Sequence, residues 1–248
     1  MPPRKDRARL DVLIFERGLA GSRKKAQAMI LAGEVVVNGT AAAKAGQTVA
    51  LDAVIEIHSR MQKYVSRGGF KLEGALQDFS VHPAAKVCLD LGSSNGGFTD
   101  CLLQHGASRI YAVDVNVDQL DWKLQQDSRV IRIKRNAREL AREDFSEKMS
   151  LVVADVSFIS VTKILPAAIS LCELGADFLI LIKPQFELRR ESIGAGGIVF
   201  DPELHQQAIE SVESAAVELG LEALGVKPSH LAGAEGNQEF FLHARKTG

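Results

Sequence analysis

A chain of 248 residues has room for one large domain, or for a medium domain and a small one, and its 46% apolar and 25% charged residues are those of a globular protein. No apolar run approaches the roughly 20 residues of a membrane-spanning helix, so a spanning protein is not expected. The net charge of −1 hides an asymmetry: residues 1–71 carry 13 Lys or Arg against 6 Asp or Glu, and the remainder 17 against 25, which points to a basic module on a more acidic body. Cys88, Cys101 and Cys172 are scattered without metal-ligand spacing, which fits free thiols in a reducing cytoplasm and no metal. No basic-then-apolar leader opens the chain.

Residues 1–7 are basic, contain proline and are expected to be mobile. Leu10, Leu13, Ile14 and Phe15 make an apolar face at helical spacing, and Gly18 ends that helix. Ser22 is placed as the N-cap of a second helix, Arg23 to Leu31. That helix buries Ala26, Met29 and Ile30, stops at Gly33, and shows Arg23, Lys24 and Gln27 on its other face. Glu34-Val-Val-Val reads as a strand running into an Asn38-Gly39 turn, and Val49 to Ile57 as another strand. The runs Arg9-Leu-Asp, Gly21-Ser-Arg-Lys-Lys-Ala-Gln and Ile30-Leu-Ala-Gly-Glu-Val-Val-Val-Asn-Gly together resemble the RNA-binding domain of the S-four type, first named from a small-subunit ribosomal protein. The resemblance implies a small α+β domain over residues 1–59 whose Arg9, Arg17, Ser22, Arg23, Lys24 and Gln27 face structured RNA. The charges agree, because exposed Arg and Lys neutralise phosphates and double-stranded RNA is read mostly by shape and backbone. Residues 60–63 are then a polar linker to a second domain, 64–248.

Gly68-Gly69 marks a turn, after which Phe70, Leu72, Ala75, Leu76 and Phe79 suit a helix on a sheet, with Lys71 just past the turn. Val87 to Leu91 reads as a buried strand that stops in a loop holding Gly92, Gly96 and Gly97, and an amphipathic helix follows from about Phe98. Strand, glycine loop and helix are how an α/β sheet builds a cofactor crevice. The spacing is G-x-x-x-G-G and not the G-x-G-x-x-G of dinucleotide binders. Ile110 to Asp114 is the second strand, and an acid at this place, ~20 residues past the glycine loop, accepts hydrogen bonds from ribose hydroxyls. Asp90 could hold the loop or meet a cationic amine of a ligand. Gln119, Leu120 and Trp122 begin a short helix with Trp122 as a packing anchor. Val130 to Ile133 is a third strand leading to Asn136, whose amide could read an adenine edge or simply make a turn. The glycine loop, Asp114 and Asn136 resemble the S-adenosylmethionine site of Rossmann-like methyltransferases. That resemblance implies S-adenosyl-L-methionine as cofactor, held by Asp90, Gly92, Ser93, Asn95, Gly96, Gly97, Phe98, Asp114, Asn136 and Ala137. A nicotinamide oxidoreductase fits worse, since its glycine fingerprint and a set of hydride-transfer partners are both missing.

Leu151 to Ala154 is the fourth strand, and Asp155 stands beyond its carboxyl end, where α/β sheets bind ligands. Asp155-Val-Ser-Phe158 lacks the prolines that base-amino methyltransferases carry here, and no Pro-Cys pair for carbon-5 methylation follows. Cys101 and Cys172 read as core. Phe178 to Ile182 is the fifth strand, closed by Lys183, which Pro184 keeps extended. A buried ammonium there costs on the order of several kcal/mol unless compensated. Residues 186–200 are glycine-rich, carry Arg189-Arg190 and read as a lid. Asp201-Pro202 caps a helix with Leu204, Ala208, Val212, Ala215 and Leu219 on its core face, and Gly236 to His243 reads as a last strand with Glu239 near its start.

Lys71, Asp155, Lys183 and Glu239 resemble the Lys-Asp-Lys-Glu tetrad of FtsJ-like ribose 2′-O-methyltransferases. The resemblance implies that Lys183 orients the acceptor hydroxyl and takes its proton, that the two acids fix the lysines, and that no metal is needed. With Ser66-Arg-Gly-Gly-Phe-Lys, Gly-Gly-Phe-Thr-Asp100 and Lys183-Pro-Gln-Phe, nearly the whole chain resembles the TlyA family, often labelled hemolysin A, whose members methylate cytidine 2′-hydroxyls in bacterial ribosomal RNA. Ser93-Ser94-Asn95 departs from the Ala-Ser-Thr expected there, which retains the turn but changes side-chain contacts to the cofactor. The expectation is an α/β, Rossmann-like S-adenosylmethionine-dependent methyltransferase domain behind a small N-terminal α+β RNA-binding domain. It would be a cytoplasmic enzyme whose partners are ribosomal RNA and ribosomal subunits, with no membrane. Two alternatives are a non-catalytic RNA-binding or assembly factor and a membrane-lytic protein. The intact tetrad speaks against the first, and the lack of a spanning segment or long basic amphipathic helix against the second.

Overall fold

A computed structural model describes residues 7–31, 34–42, 44–57, 63–233 and 236–248. The chain divides into two units, 1–62 and 63–248. Gly33 and most of the expected linker, 60–62, lie outside the described residues.

In the first unit β1 (Arg7–Arg9) leads into α1 (Leu10–Glu16) and α2 (Arg23–Leu31), followed by β2 (Val35–Val37), β3 (Thr40–Ala41), β4 (Thr48–Ala50) and β5 (Ile55–Ile57). Arg7, expected in a mobile tail, pairs with Ala50. The Asn38-Gly39 turn joins β2 to β3 with φ of +50° and +78°, the pair of positive values that a tight hairpin needs. The stretch from Val49 to Ile57 is not one strand. A turn closed by Ala53 N–H donating to the Ala50 carbonyl breaks it, so that β4 pairs with β1 and β5 with β2. Leu10, Leu13, Ile14, Ala26, Met29 and Ile30 pack into one core. Phe15 is exposed instead, because it lies off the stripe that Leu10, Leu13 and Ile14 define.

The second unit carries a seven-stranded sheet. Its elements in chain order are α3 (Gly68–Asp78), β6 (Val87–Leu91), α4 (Gly97–Gln104), β7 (Arg109–Asp114), α5 (Trp122–Gln125), β8 (Val130–Lys134), β9 (Met149–Ala154), α6 (Leu165–Ser170), β10 (Cys172–Ile182), α7 (Pro184–Glu187), α8 (Pro202–Glu218), β11 (Leu221–Pro228) and β12 (Phe240–Lys246). The strand order is β11-β12-β10-β9-β6-β7-β8. Strands β10, β9, β6, β7 and β8 are parallel, and β12 runs antiparallel between β10 and β11. The chain lays β6, β7 and β8 outward in one direction, then returns to the other side of β6 with β9. The junction of β6 and β9 is thus the topological switch point where ligands bind beyond the strand ends. Alternate residues of each central strand enter the cores on opposite faces, Leu89 and Leu91 on one and Cys88 on the other, as a sheet covered on both sides requires.

Several expected elements are corrected. Gly68-Gly69 is the first turn of α3 rather than a turn before it, and Phe70 faces outward. Trp122 is 74% exposed and anchors no packing. On α8 the buried residues are Ala208, Ile209, Val212 and Ala216, while Leu219 at the helix end is exposed. The last strand begins at Phe240, leaving Glu239 in the preceding loop. Strand β10 starts six residues earlier than Phe178, and β11 and α6 carried no expectation.

Candidate active site

The sheet register brings the tetrad together. Asp155 follows β9 directly, and its N–H donates to the Leu91 carbonyl, which seats it beside the end of β6. Ile182 pairs with Phe240 in the antiparallel β10–β12 ladder, so the next residues outward, Lys183 and Glu239, leave the sheet side by side. Lys71 comes from α3. Lys183 Nζ lies 2.6 Å from Asp155 Oδ1, and Lys71 Nζ lies 2.5 Å from Glu239 Oε2. Both lysines and Glu239 are buried. Each ammonium therefore has a carboxylate of its own, which is what burial of a charge demands.

Three adjoining cavities open here. One of about 210 Å3 is lined by Lys71, Gly92, Ser93, Gly97, Phe98 and Asp155, with Ser66, Arg67 and Gly68 on its α3 side. A second of about 400 Å3 runs along Asp114, Asn136 and Ala137 and shares Gly92, Ser94 and Asp155 with the first. The third, about 270 Å3, holds Lys183 and Glu239 with Gln185 and Phe186, and shares Ser157 and Phe158 with the second. Asp155 thus borders the first two cavities, and Lys183, its partner, borders the third.

The loop after β6 shapes the first two. Gly92 has φ +83°, and a Cβ there would stand 2.3 Å from the Asp155 carbonyl oxygen, so only glycine lets these two strand ends approach. Asp114 accepts from Ser94 N–H (2.9 Å) and Asn116 N–H (2.9 Å), tying the glycine loop to the end of β7. Asn136 Oδ1 accepts from Arg138 N–H at 3.1 Å, so the simple turn is present while the side chain also lines the larger cavity. Asp90 is fully buried, with one oxygen accepting from Thr99 Oγ1 (2.6 Å) and the other without a partner among the described residues. Burial, with the charges of Asp155 and Asp114 nearby, pushes its carboxyl up to about 7. Ser93 Oγ is likewise buried and without a partner among the described residues. Three expected cofactor residues line none of the three cavities, the fully buried Asp90 among them. Asn95 is exposed and its carbonyl accepts from Asp121 N–H, and Gly96 faces Leu120 and Leu124.

In the first unit, Arg9, Arg23 and Gln27 converge on a residue the sequence did not single out. Asp11 is fully buried, and its carboxylate accepts from Arg9 Nε (3.0 Å), Arg23 Nε (2.9 Å) and Gln27 Nε2 (2.7 Å). The Arg9 guanidinium, with Gln27 and Arg23, holds that carboxyl well below the usual carboxylate range. Arg9 and Arg23 keep about half of their side-chain surface open to solvent (48% and 50%). Arg17 does not join them; its guanidinium donates to the Ala53 carbonyl (2.7 Å) and the Leu51 carbonyl. Ser22 Oγ accepts from Lys25 N–H (3.1 Å) and so caps α2, and Lys24 is exposed. Asp11 was within reach of sequence reasoning, since it sits inside the Arg9-Leu-Asp run.

A Rossmann-like sheet with a glycine loop, an acid ending the second strand and a paired Lys-Asp-Lys-Glu set at the switch point defines a methyltransferase architecture. The model of the FtsJ-like methyltransferase family matches residues 64–246, and that of the S4 domain matches residues 8–55. The 16S/23S rRNA (cytidine-2′-O)-methyltransferase TlyA of Mycobacterium tuberculosis is 43% identical over 241 residues, 96% of this chain and 90% of that protein. Hemolysin A of Brachyspira hyodysenteriae is 41% identical, covering 95% of this chain and 98% of that one. A solved structure from Streptococcus thermophilus, also named for hemolysin, superposes with a TM-score of 0.77 at 40% identity over 98% of this chain and 90% of its own. The chain belongs to the FtsJ-like methyltransferase family, in the TlyA group that joins such a domain to an S4 domain. Among the described residues no helix is long and apolar enough to cross a membrane.

Proposed function

We propose that this protein transfers a methyl group from S-adenosyl-L-methionine to the 2′-hydroxyl of a cytidine in ribosomal RNA. The observation that carries the reading is the double ion pair, Lys183 with Asp155 and Lys71 with Glu239, set where the cofactor crevice meets a separate cavity. The crevice suits that cofactor. Two buried polar atoms, Ser93 Oγ and one Asp90 oxygen, await partners beside the glycine loop, and Asp114 offers a carboxylate where ribose hydroxyls are expected. Asp90, Gly92, Ser93, Gly97, Phe98, Asp114, Asn136 and Ala137 would hold it, with Asn95 and Gly96 setting the loop behind them. The chemistry the cofactor supplies when bound is an electrophilic methyl group.

This chain's residues do the rest. Lys183, after giving its own ammonium proton to solvent, holds the acceptor hydroxyl and takes its proton as the oxygen gains the methyl. Asp155 fixes Lys183 and balances the charge that the proton brings, while Lys71 and Glu239 form the second, neutral pair against the acceptor. Holding hydroxyl and methyl donor in line supplies much of the rate, and no metal is called for. Phe158, 92% exposed, and Phe186, with ring centroids 5.4 Å apart, give the acceptor cavity an aromatic wall suited to an unstacked base. The RNA-binding domain, residues 1–59, supplies affinity through Arg9, Arg23 and Gln27 around Asp11, with Lys24 adding charge and Arg17 and Ser22 shaping the fold; 60–63 is the linker to the catalytic domain, 64–248.

The test is transfer of tritium from labelled S-adenosylmethionine to purified ribosomal subunits, with Lys183→Ala as the comparison. Wild-type incorporation that Lys183→Ala abolishes supports the reading, and equal incorporation by the two contradicts it.

A further inference from the structure

We infer that Ser157 is a positioning residue for Lys183, and that Glu187 holds the loop that carries it. The inference rests on the reading of Lys183 as the group that faces the acceptor hydroxyl. Lys183 Nζ donates to Ser157 Oγ at 2.8 Å in addition to its 2.6 Å pairing with Asp155. Ser157 borders both the larger crevice and the acceptor cavity. A lysine that takes a proton must first be a neutral amine, with two N–H groups and one lone pair. Asp155 and Ser157 together use both N–H groups, so the lone pair is left with the single remaining tetrahedral direction. Without the Ser157 hydroxyl one N–H is unassigned, the lone pair has two directions to choose between, and the long side chain is pinned at one point instead of two.

The segment carrying Ser157 is itself constrained. Phe158 adopts φ +65°, a conformation that a bulky side chain takes only where its surroundings over-determine it. The constraint comes from both ends. Ser157 is tied to Lys183, and Glu187, four residues further on at the end of α7, accepts from Ser160 Oγ (2.5 Å) and Val161 N–H (2.9 Å). The loop after β9 is thereby stitched to the residues that follow β10, and the stitching fixes Ser157 against Lys183.

The experiment uses the full-length protein, tritiated S-adenosylmethionine and ribosomal subunits, with wild type, Lys183→Ala, Ser157→Ala, Ser157→Thr and Glu187→Gln assayed together. Ser157→Ala is expected to lower kcat about 10- to 100-fold. Its cofactor KM should stay within about twofold of wild type and its melting temperature within about 2 °C. Ser157→Thr, which keeps a hydroxyl, should recover most of the lost kcat, and Glu187→Gln should fall between. Full kcat in Ser157→Ala beside an inactive Lys183→Ala overturns this inference and leaves the proposed function standing. So does a loss that comes with a lowered melting temperature and is not relieved by threonine. An inactive wild type, or an active Lys183→Ala, overturns the proposed function and this inference with it.

Discussion

In the first unit one fully buried carboxylate, Asp11, gathers Arg9, Arg23 and Gln27, whereas in the second unit each buried lysine has its own acid, Lys71 with Glu239 and Lys183 with Asp155. The difference fits the two proposed roles. Two half-exposed guanidiniums on one buried acid leave positive charge in excess, and they hold it in a fixed orientation suited to a phosphate backbone. The charge-balanced tetrad presents little net field and holds each lysine at a buried place where an unpaired charge would not survive. Buried acids thus serve here both to aim charge outward and to cancel it.

The comparison breaks most visibly at Lys183. Lys183→Ala should lower single-turnover methyl transfer about 10³-fold while the protein melts near the wild-type temperature, since Asp155 can turn to the cavity it borders. Glu239→Gln should cost about 3 kcal/mol in urea unfolding as well as activity, because it leaves the Lys71 ammonium buried beside a neutral amide. Asp90 gives a pH signature. Its carboxyl is raised from the usual 3.8 to about 7, so the folded protein binds a proton that the unfolded chain releases, and stability from this group falls as pH rises from about 4 through 7. Asp90→Asn should flatten that fall, by up to a few kcal/mol, in denaturant melts across the window. The smallest effect sharpens the other half of the comparison. Asp11→Ala removes a buried negative charge from beneath the proposed RNA-binding face, so charge alone predicts tighter binding. Orientation by Asp11 predicts binding to ribosomal RNA about tenfold weaker, and a filter-binding titration decides between them.

Much of the second unit was legible because its signals are local. Val87 to Leu91, the glycine loop and the helix after it form one contiguous pattern, and Asp114, Asp155 and Lys183 each end an apolar run. What escaped depends on partners far away in sequence. Trp122 looks like an anchor by composition, yet only the packing of α5 shows it outside. The run from Val49 to Ile57 has strand composition throughout, but its two halves find different partners, β1 and β2, and a turn must intervene. β11 owes its place to an antiparallel partner with a register shift at Gly225, which leaves no clean alternation to read. Asp11 lay inside the Arg9-Leu-Asp run, but its contacts, like those of Ser157, appear only when Arg23 and Lys183 arrive from other elements.

The most direct measurement digests ribosomal RNA to nucleosides after reaction with methyl-labelled S-adenosylmethionine and locates the label. The account predicts 2′-O-methylcytidine with the wild-type protein and none with Lys183→Ala. Label on a base, or 2′-O-methylcytidine undiminished in Lys183→Ala, would contradict it.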